Sequence, residues 1–141
     1  MTTENTTILI KLFASLILGL IIGIERELKS SPAGMKTHTL VALGSTLFTL
    51  MSIKIAGSGG DVSRIAAQIV VGIGFIGGGA IFKSQNRVLG LTTAASLWIT
   101  AAIGMVIGLG EYFTAITATT LVLIVVVLGN LFERKMLHKK T

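Results

Sequence analysis

Residues 112–132 read YFTAITATTLVLIVVVLGNLF, and these 21 positions contain no Asp, Glu, Lys or Arg. About 20 mostly apolar residues cross a bilayer as a helix, because a helix satisfies its own backbone hydrogen bonds where water is absent. Four further apolar runs have a similar length. The sequence therefore predicts an all-α integral membrane protein, a bundle of five transmembrane helices with spans at residues 7–24, 40–56, 65–82, 91–109 and 112–132.

The composition agrees with a membrane bundle. Of the 141 residues, 52% are hydrophobic and 13% are charged, about half the charged share of a soluble domain. Five spans with short connections occupy nearly the whole chain, so residues 1–141 are predicted to form a single transmembrane domain without a soluble catalytic part. The chain has no Cys, which excludes disulfides and thiolate chemistry.

The basic residues predict how the bundle is oriented. Twelve Lys and Arg against six acidic residues give a net charge of +6, a surplus that in a polar chain would suggest a nucleic-acid partner. Nine of the twelve follow spans one, three and five, and only Lys11, Lys54 and Arg64 lie elsewhere. Basic connections stay in the cytoplasm. We therefore expect the N-terminus outside, the C-terminus in the cytoplasm, the lipid bilayer as partner and no nucleic acid.

Three spans carry glycines four positions apart, the spacing that lets two helix backbones approach closely. The pairs are Gly19 with Gly23, Gly74 with Gly78, and Gly104 with Gly108. Two interpretations stay open, packing within one chain or the seam of a homodimer. Span three also contains the triplet Gly77, Gly78 and Gly79, and each glycine weakens a helix by roughly 1 kcal/mol relative to Ala. The triplet predicts a break or kink in span three.

Gly72, Gly74 and Gly77 match the GxGxxG spacing of dinucleotide-binding loops. That fingerprint also needs an acidic residue about 20 positions further on, and no Asp or Glu lies between Asp61 and Glu111. We expect no dinucleotide and no other cofactor.

All six acidic residues lie outside the span centres. Ionisable residues inside the membrane usually mark a cation path, so their absence argues against coupled cation transport. Uncharged polar groups offer an alternative lining for a path, namely Gln68, Thr92, Thr93, Ser96 and Thr100. Hydroxyl groups also bond back to their own helix, and this structural interpretation stays open.

Two charged clusters occur at span ends. The first combines Glu25, Arg26 and Glu27 with Lys36 and His38, and the second contains Asp61, Ser63 and Arg64. Asp or Ser at the start of span three is a natural helix cap. His38 is either solvated or hydrogen-bonded, or it senses pH or binds a metal.

Trp98 lies deeper in span four than the interfacial belt and is predicted to pack between helices.

These residues resemble the MgtC/SapB family of bacterial membrane proteins. The resemblance rests on GIERELKSSPAGMKTHTLVALGS (23–45), DVSRIAAQIVVGIGFIGGGAIF (61–82) and VLGLTTAASLWITAAIGMVIGLG (88–110). The matching positions are Glu25, Arg26, Ala33, Gly34, Lys36, Thr37, His38, Asp61, Ser63, Arg64, Gln68, Gly74, Gly77, Gly79, Gly90, Thr92, Thr93 and Trp98.

Two departures from the family pattern matter. Val62 stands where the family usually has proline, which loosens the start of span three. Larger members carry a soluble C-terminal domain, whereas this sequence stops about nine residues after span five, so functions of that domain are not expected. The resemblance implies a multi-pass protein of the bacterial cytoplasmic membrane, linked to growth at low Mg²⁺, survival in host cells and, in some members, control of the ATP synthase.

Two functional hypotheses follow. The first is a non-enzymatic regulatory protein, a homodimer, that binds other membrane proteins through its small-residue helix faces and the connection from Glu25 to His38. The second is a small transporter of Mg²⁺ or another ion or solute, suggested by the glycine triplet. No enzyme is expected, because no nucleophile, base and orienting group occur together at a plausible spacing.

Overall fold

The computed structural model describes residues 2–57, 59–85 and 87–137, and it contains five α-helices and one β-hairpin in this part of the chain. The helices are α1 (Thr3–Leu28), α2 (Met35–Ala56), α3 (Ser63–Gly79), α4 (Leu91–Leu109) and α5 (Tyr112–Leu137). The hairpin pairs β1 (Phe82–Ser84) with β2 (Arg87–Leu89). The prediction of an all-α membrane bundle is confirmed.

Four of the described helices are long and apolar enough to cross a membrane, and α3 is the exception. Its 17 residues rise by about 25 Å, somewhat less than the hydrocarbon thickness of about 30 Å. The helix α4 has the predicted bounds, whereas α1, α2 and α5 extend beyond their predicted apolar runs because polar residues continue these helices into the interfacial layer. At its start, for example, α1 is capped by the Thr2 hydroxyl, which accepts the Asn5 N–H.

The predicted end of span three at Phe82 is wrong, and so is the predicted break. The helix is continuous from Ser63 and stops at Gly79, directly after the glycine triplet. The low helix propensity of glycine thus acts at the end of the helix, where the fewest hydrogen bonds are lost. Phe82 belongs instead to the hairpin, opposite Leu89, and Gly90 with φ +87° turns the chain into α4.

The core is formed by α1, α2 and α4, whose backbones meet around Ala42. A side-chain carbon at Gly19 of α1 would lie 2.8 Å from the Cβ of Ala42, and one at Gly104 of α4 would overlap the Ala42 carbonyl oxygen. Further along α4, Gly108 lies against the side chain of Thr49. Glycine is therefore required at these contacts because any larger residue would force the helices apart.

The helices α3 and α5 lie at the periphery of this core. Through Ile73 and Gly77, α3 contacts the rest of the bundle, and a Cβ at Gly77 would lie 3.5 Å from Ala94 of α4. No neighbouring group lies within 4 Å of a Cβ at Gly74, Gly78 or Gly79. Packing within the chain is therefore the wrong interpretation for the pair of Gly74 and Gly78.

The close approach of α2 and α4 predicts opposite effects for two glycine substitutions. Gly104→Ala is expected to destabilise the fold by about 1–3 kcal/mol, since the added methyl group would overlap backbone. Gly129→Ala in α5 meets open space and is expected to be neutral or slightly stabilising through helix propensity. Thermal unfolding of both purified variants in detergent measures the difference, and equal melting temperatures would contradict the packing described here.

Candidate functional site

A row of buried polar side chains runs along the contact between α1, α2 and α4, and we call it the polar stripe. Its members are Ser15, His38, Ser45, Thr46, Thr49, Thr93, Ser96 and Thr100. Polar groups buried in a membrane protein must be hydrogen-bonded, because each unpaired group costs several kcal/mol. Thr49 and Thr100 meet this requirement by donating to the carbonyls of Ser45 and Ser96 in the preceding turn.

At the centre of the stripe, one hydroxyl group joins all three core helices. The Oγ1 of Thr46 lies 2.8 Å from both the Ser15 hydroxyl and the Gly104 carbonyl oxygen. A carbonyl only accepts, so Thr46 donates its single hydrogen to Gly104 and accepts from Ser15. This arrangement links α1, α2 and α4 at the level where their glycines permit contact.

His38 is fully buried at the α2 end of the stripe, with 0% of its surface exposed. Its Nδ1 lies 3.0 Å from the Gly34 carbonyl oxygen, so Nδ1 carries a hydrogen and donates it. Its Nε2 lies 3.1 Å from the Ser96 hydroxyl, which also lies 2.8 Å from the Thr93 carbonyl oxygen. The single hydrogen of the Ser96 hydroxyl goes either to the Thr93 carbonyl oxygen or to Nε2, and in both cases the contact of the imidazole with Ser96 joins α2 to α4. Of the sequence interpretations, hydrogen bonding is the one that the structure shows, and solvation is wrong.

The first charged cluster lies where α1 ends and α2 begins, which we call the Lys36 end. Arg26 is 7% exposed, and its Nη1 lies 3.5 Å from the Glu25 carboxylate. Glu25 also accepts a hydrogen bond from Asn130 of α5 at 3.3 Å. Glu27 accepts the backbone N–H of Met35 at 2.9 Å and so caps α2. The carboxylates of this cluster thus hold α1 against α2 and α5.

The second charged cluster lies at the opposite end of α2, which we call the Asp61 end. Asp61 accepts hydrogen bonds from the backbone N–H of Ser63 at 2.8 Å and from its hydroxyl at 2.5 Å. These two bonds lower the pKa of the Asp61 carboxyl. Asp61 thus fixes the first residue of α3, although the N-cap position itself is Val62. Arg64 is exposed nearby, and the structure does not bring this cluster to the first.

Two cavities follow the α2–α3 side of the bundle and meet at Ile65 and Gln68, which line both. The first has a volume of about 620 Å³, begins at Lys36 and Thr37, and is lined mainly by apolar side chains. The second has about 690 Å³ and includes Asp61 and Arg64. Together they form a furrow from one end of the bundle to the other.

Three other residues differ from expectation or were missed. Trp98 is 51% exposed, so the predicted helix packing is wrong: the side of α4 that carries Trp98 faces outward. Thr92 is also exposed. Its neighbour Thr93 is buried, and the Thr93 and Ser31 hydroxyls share a 2.9 Å hydrogen bond in which either can be the donor. The sequence indicates only that Lys11 contributes to the orientation of the bundle. In the structure its Nζ donates to the Gly108 carbonyl at 2.7 Å, and its positive charge is favourable at the C-terminal end of the α4 helix dipole.

The described residues include no group of three or more His, Asp or Glu side chains that could hold a metal ion. The polar side chains of the site form hydrogen bonds through hydroxyl, imidazole and carboxylate groups, and most of these groups join helices to one another. The fold and site thus define a multi-pass α-helical membrane protein with a hydrogen-bonded polar interior.

Comparison with known proteins gives the family. The model of the MgtC family matches residues 12–135, and the chain belongs to this family. It is 42% identical to the Escherichia coli K12 protein named "Putative magnesium transporter YhiD" over 125 residues, 84% of this chain and 58% of that protein. It is 44% identical to Protein MgtC of Salmonella typhimurium LT2 over 115 residues, 82% of this chain and 49% of that protein.

An uncharacterised Haemophilus influenzae protein is 38% identical over 147 aligned positions, covering 98% of this chain and 61% of that protein. The chain therefore spans about half to three fifths of these relatives. No solved structure matches.

The His38 geometry predicts a specific cost for losing Ser96. Ser96→Ala leaves Nε2 of a buried imidazole without a partner, which is expected to cost about 1–3 kcal/mol. Thr92→Ala, four residues earlier on the exposed side of α4, removes a hydroxyl of the same kind and is expected to change stability by less than about 0.5 kcal/mol. Thermal unfolding in detergent compares the two, and a harmless Ser96→Ala would show that the imidazole does not depend on this bond.

The hydrogen bonds to Asp61 predict a pH dependence. A carboxyl whose pKa is lower in the folded state stabilises the fold above its unfolded pKa, and the contribution is lost as the pH falls through the folded pKa. The difference in melting temperature between the unmodified protein and Asp61→Asn is therefore expected to be constant well above the unfolded pKa of about 3.9 and to shrink as the pH falls below it and through the lower folded pKa. Glu111→Gln, at the same end, is the control. A difference that grows on acidification would refute this assignment.

Proposed function

We propose that this protein is a non-enzymatic component of the bacterial cytoplasmic membrane that binds other membrane proteins, and a second copy of itself, during adaptation to low Mg²⁺ or host stress. Membership in the MgtC family and the magnesium-related name of YhiD support the physiological setting. The molecular action is argued from two features of the bundle, its closed core and the open face of α3.

The core supports binding rather than transport through the bundle. Around Ala42 the backbones of α1, α2 and α4 leave no room even for a methyl group at Gly19 or Gly104. The hydroxyls of the polar stripe donate to backbone carbonyls or to one another. Such groups stabilise helix contacts in the membrane, so the stripe is explained as structural.

The outer face of α3 is the observation that carries the proposal. Val71, Gly74, Phe75 and Gly78 follow the i, i+3, i+4, i+7 pattern of one helix face, and Phe75 is 88% exposed. Gly74 and Gly78 have open space above them. A small-xxx-small pair beside large apolar side chains is the kind of surface on which a second transmembrane helix packs.

Copurification from native membranes tests this proposal. Gly78→Leu fills the open face without touching the rest of the chain and is expected to remove the partner and the homodimer contact. Gly129→Leu places the same side chain on the open surface of α5 and is expected to leave both unchanged. An identical set of partners and an identical oligomeric state for Gly78→Leu and the unmodified protein would overturn the role of this face.

Transport is the alternative, and the furrow between α2 and α3 is the observation that favours it. Gln68 lines both halves of the furrow, which reaches from Lys36 to Asp61. In this case purified protein in liposomes is expected to carry Mg²⁺, and Gln68→Leu is expected to abolish the flux. Absence of flux from correctly folded, inserted protein would count against transport and leave the binding proposal in place.

A further inference from the structure

The apolar half of the furrow, from Lys36 to Phe48, has the form of a lipid site. We propose that this groove, bounded by α2 and α3, binds one acyl chain of an anionic phospholipid, with the lipid phosphate held by Lys36 and Thr37. This inference concerns the lipid and is independent of the protein partners proposed above.

The dimensions of the groove fit a hydrocarbon chain. From Lys36 to Phe48, twelve helical steps correspond to about 18 Å along α2, close to the roughly 15 Å depth of one leaflet. A volume of about 620 Å³ lies within the range of ~300–1,000 Å³ that is usual for a binding cleft. The length and the volume together accommodate one acyl chain along the groove.

The lining is apolar where the chain would lie and polar at its two ends. Leu40, Phe48, Ile69, Ile73 and Ile76 line the middle of the groove. Gly44 and Gly72 keep it wide, because nothing lies within 4 Å of a Cβ at either position. At the deep end Gln68 marks the change to the polar cavity near Asp61, which sets the depth that a hydrocarbon chain reaches.

The mouth of the groove presents groups that recognise a phosphate. Lys36 is exposed and forms no ion pair within the described residues, where the structure has the single pair of Arg26 with Glu25. The Thr37 hydroxyl makes no hydrogen bond among these residues, whereas the adjacent Thr39 donates to the Met35 carbonyl. Both side chains lie in the first turn of α2, where the helix dipole favours an anion. Glu27 occupies only the N–H of Met35.

The topology places this mouth in the leaflet where anionic lipids are concentrated. The bias of Lys and Arg toward the sequence after spans one, three and five predicts that the Lys36 end faces the cytoplasm, and basic pockets between transmembrane helices on that side bind anionic headgroups. One lysine near such a surface favours an anionic lipid by about fivefold. Charge and shape thus select the same kind of ligand.

Native mass spectrometry of the full chain, after equilibration with equal amounts of phosphatidylglycerol and phosphatidylcholine, tests the site. The unmodified protein is expected to retain one phosphatidylglycerol per chain. Gly72→Leu fills the groove and is expected to lose the bound lipid, as is Gly44→Leu from the α2 side. Gly129→Leu places the same side chain on the open surface of α5, away from the groove; it is the control and is expected to keep the lipid.

The headgroup is tested in the same experiment. Lys36→Gln is expected to reduce the preference for phosphatidylglycerol about fivefold, while Lys29→Gln, an exposed lysine at the same end that does not line the groove, is expected to leave it unchanged. Retention of lipid by both groove-filling variants, or an equal loss from Lys36→Gln and Lys29→Gln, would overturn the proposal.

A second copy of the chain is the competing occupant. Because the chain lacks cysteine, Leu40→Cys introduces a single thiol in the groove for crosslinking in membranes. Absence of a crosslinked dimer is expected if lipid occupies the groove, and efficient crosslinking through Leu40→Cys would contradict the lipid site.

Discussion

The fold depends on the close approach of three helix backbones at Ala42. Lipid tails are as apolar as leucine, so helices in a membrane gain nothing from hydrophobic burial against one another and must associate through packing and hydrogen bonds. Gly19 and Gly104 provide the packing from α1 and α4. Thr46 provides the hydrogen bonds at the same level by joining Ser15 to the Gly104 carbonyl.

The polar stripe fixes the register of the core helices as well as stabilising their contact. The hydrogen bonds of Thr46 and His38 cross between helices and form only when the helices have one register, whereas Thr49 and Thr100 donate within their own helix. Hydrogen bonds also fix the ends of the bundle. Lys11 of α1 donates to the carbonyl of Gly108 in the last turn of α4, and Glu27 of α1 accepts the N–H of Met35 at the start of α2. The proposed binding surfaces lie on two different faces of α3, the outer face with its open glycines and the α2 side that lines the groove.

Much of the fold could be predicted from the sequence because the bilayer imposes a length and an apolar composition on each span. The contact glycines Gly19 and Gly104 were also recognisable, since their spacing is that of close helix contacts. The hairpin was missed because two three-residue strands leave no periodic signal. The roles of His38, Trp98 and Lys11 could not be read from position along the chain, because each depends on which way a helix is rotated, and only contact between helices decides that.

The register of α1 against α2 depends on the direct contact of Gly19 with Ala42. A double-mutant cycle in detergent, with Gly19→Ala, Ala42→Gly and the double variant, measures that contact. Ala42→Gly is expected to relieve part of the damage of Gly19→Ala, so that the double variant loses less unfolding free energy than the sum of the two single variants by about 0.5–3 kcal/mol. Losses that simply add, within about 0.5 kcal/mol, would contradict it.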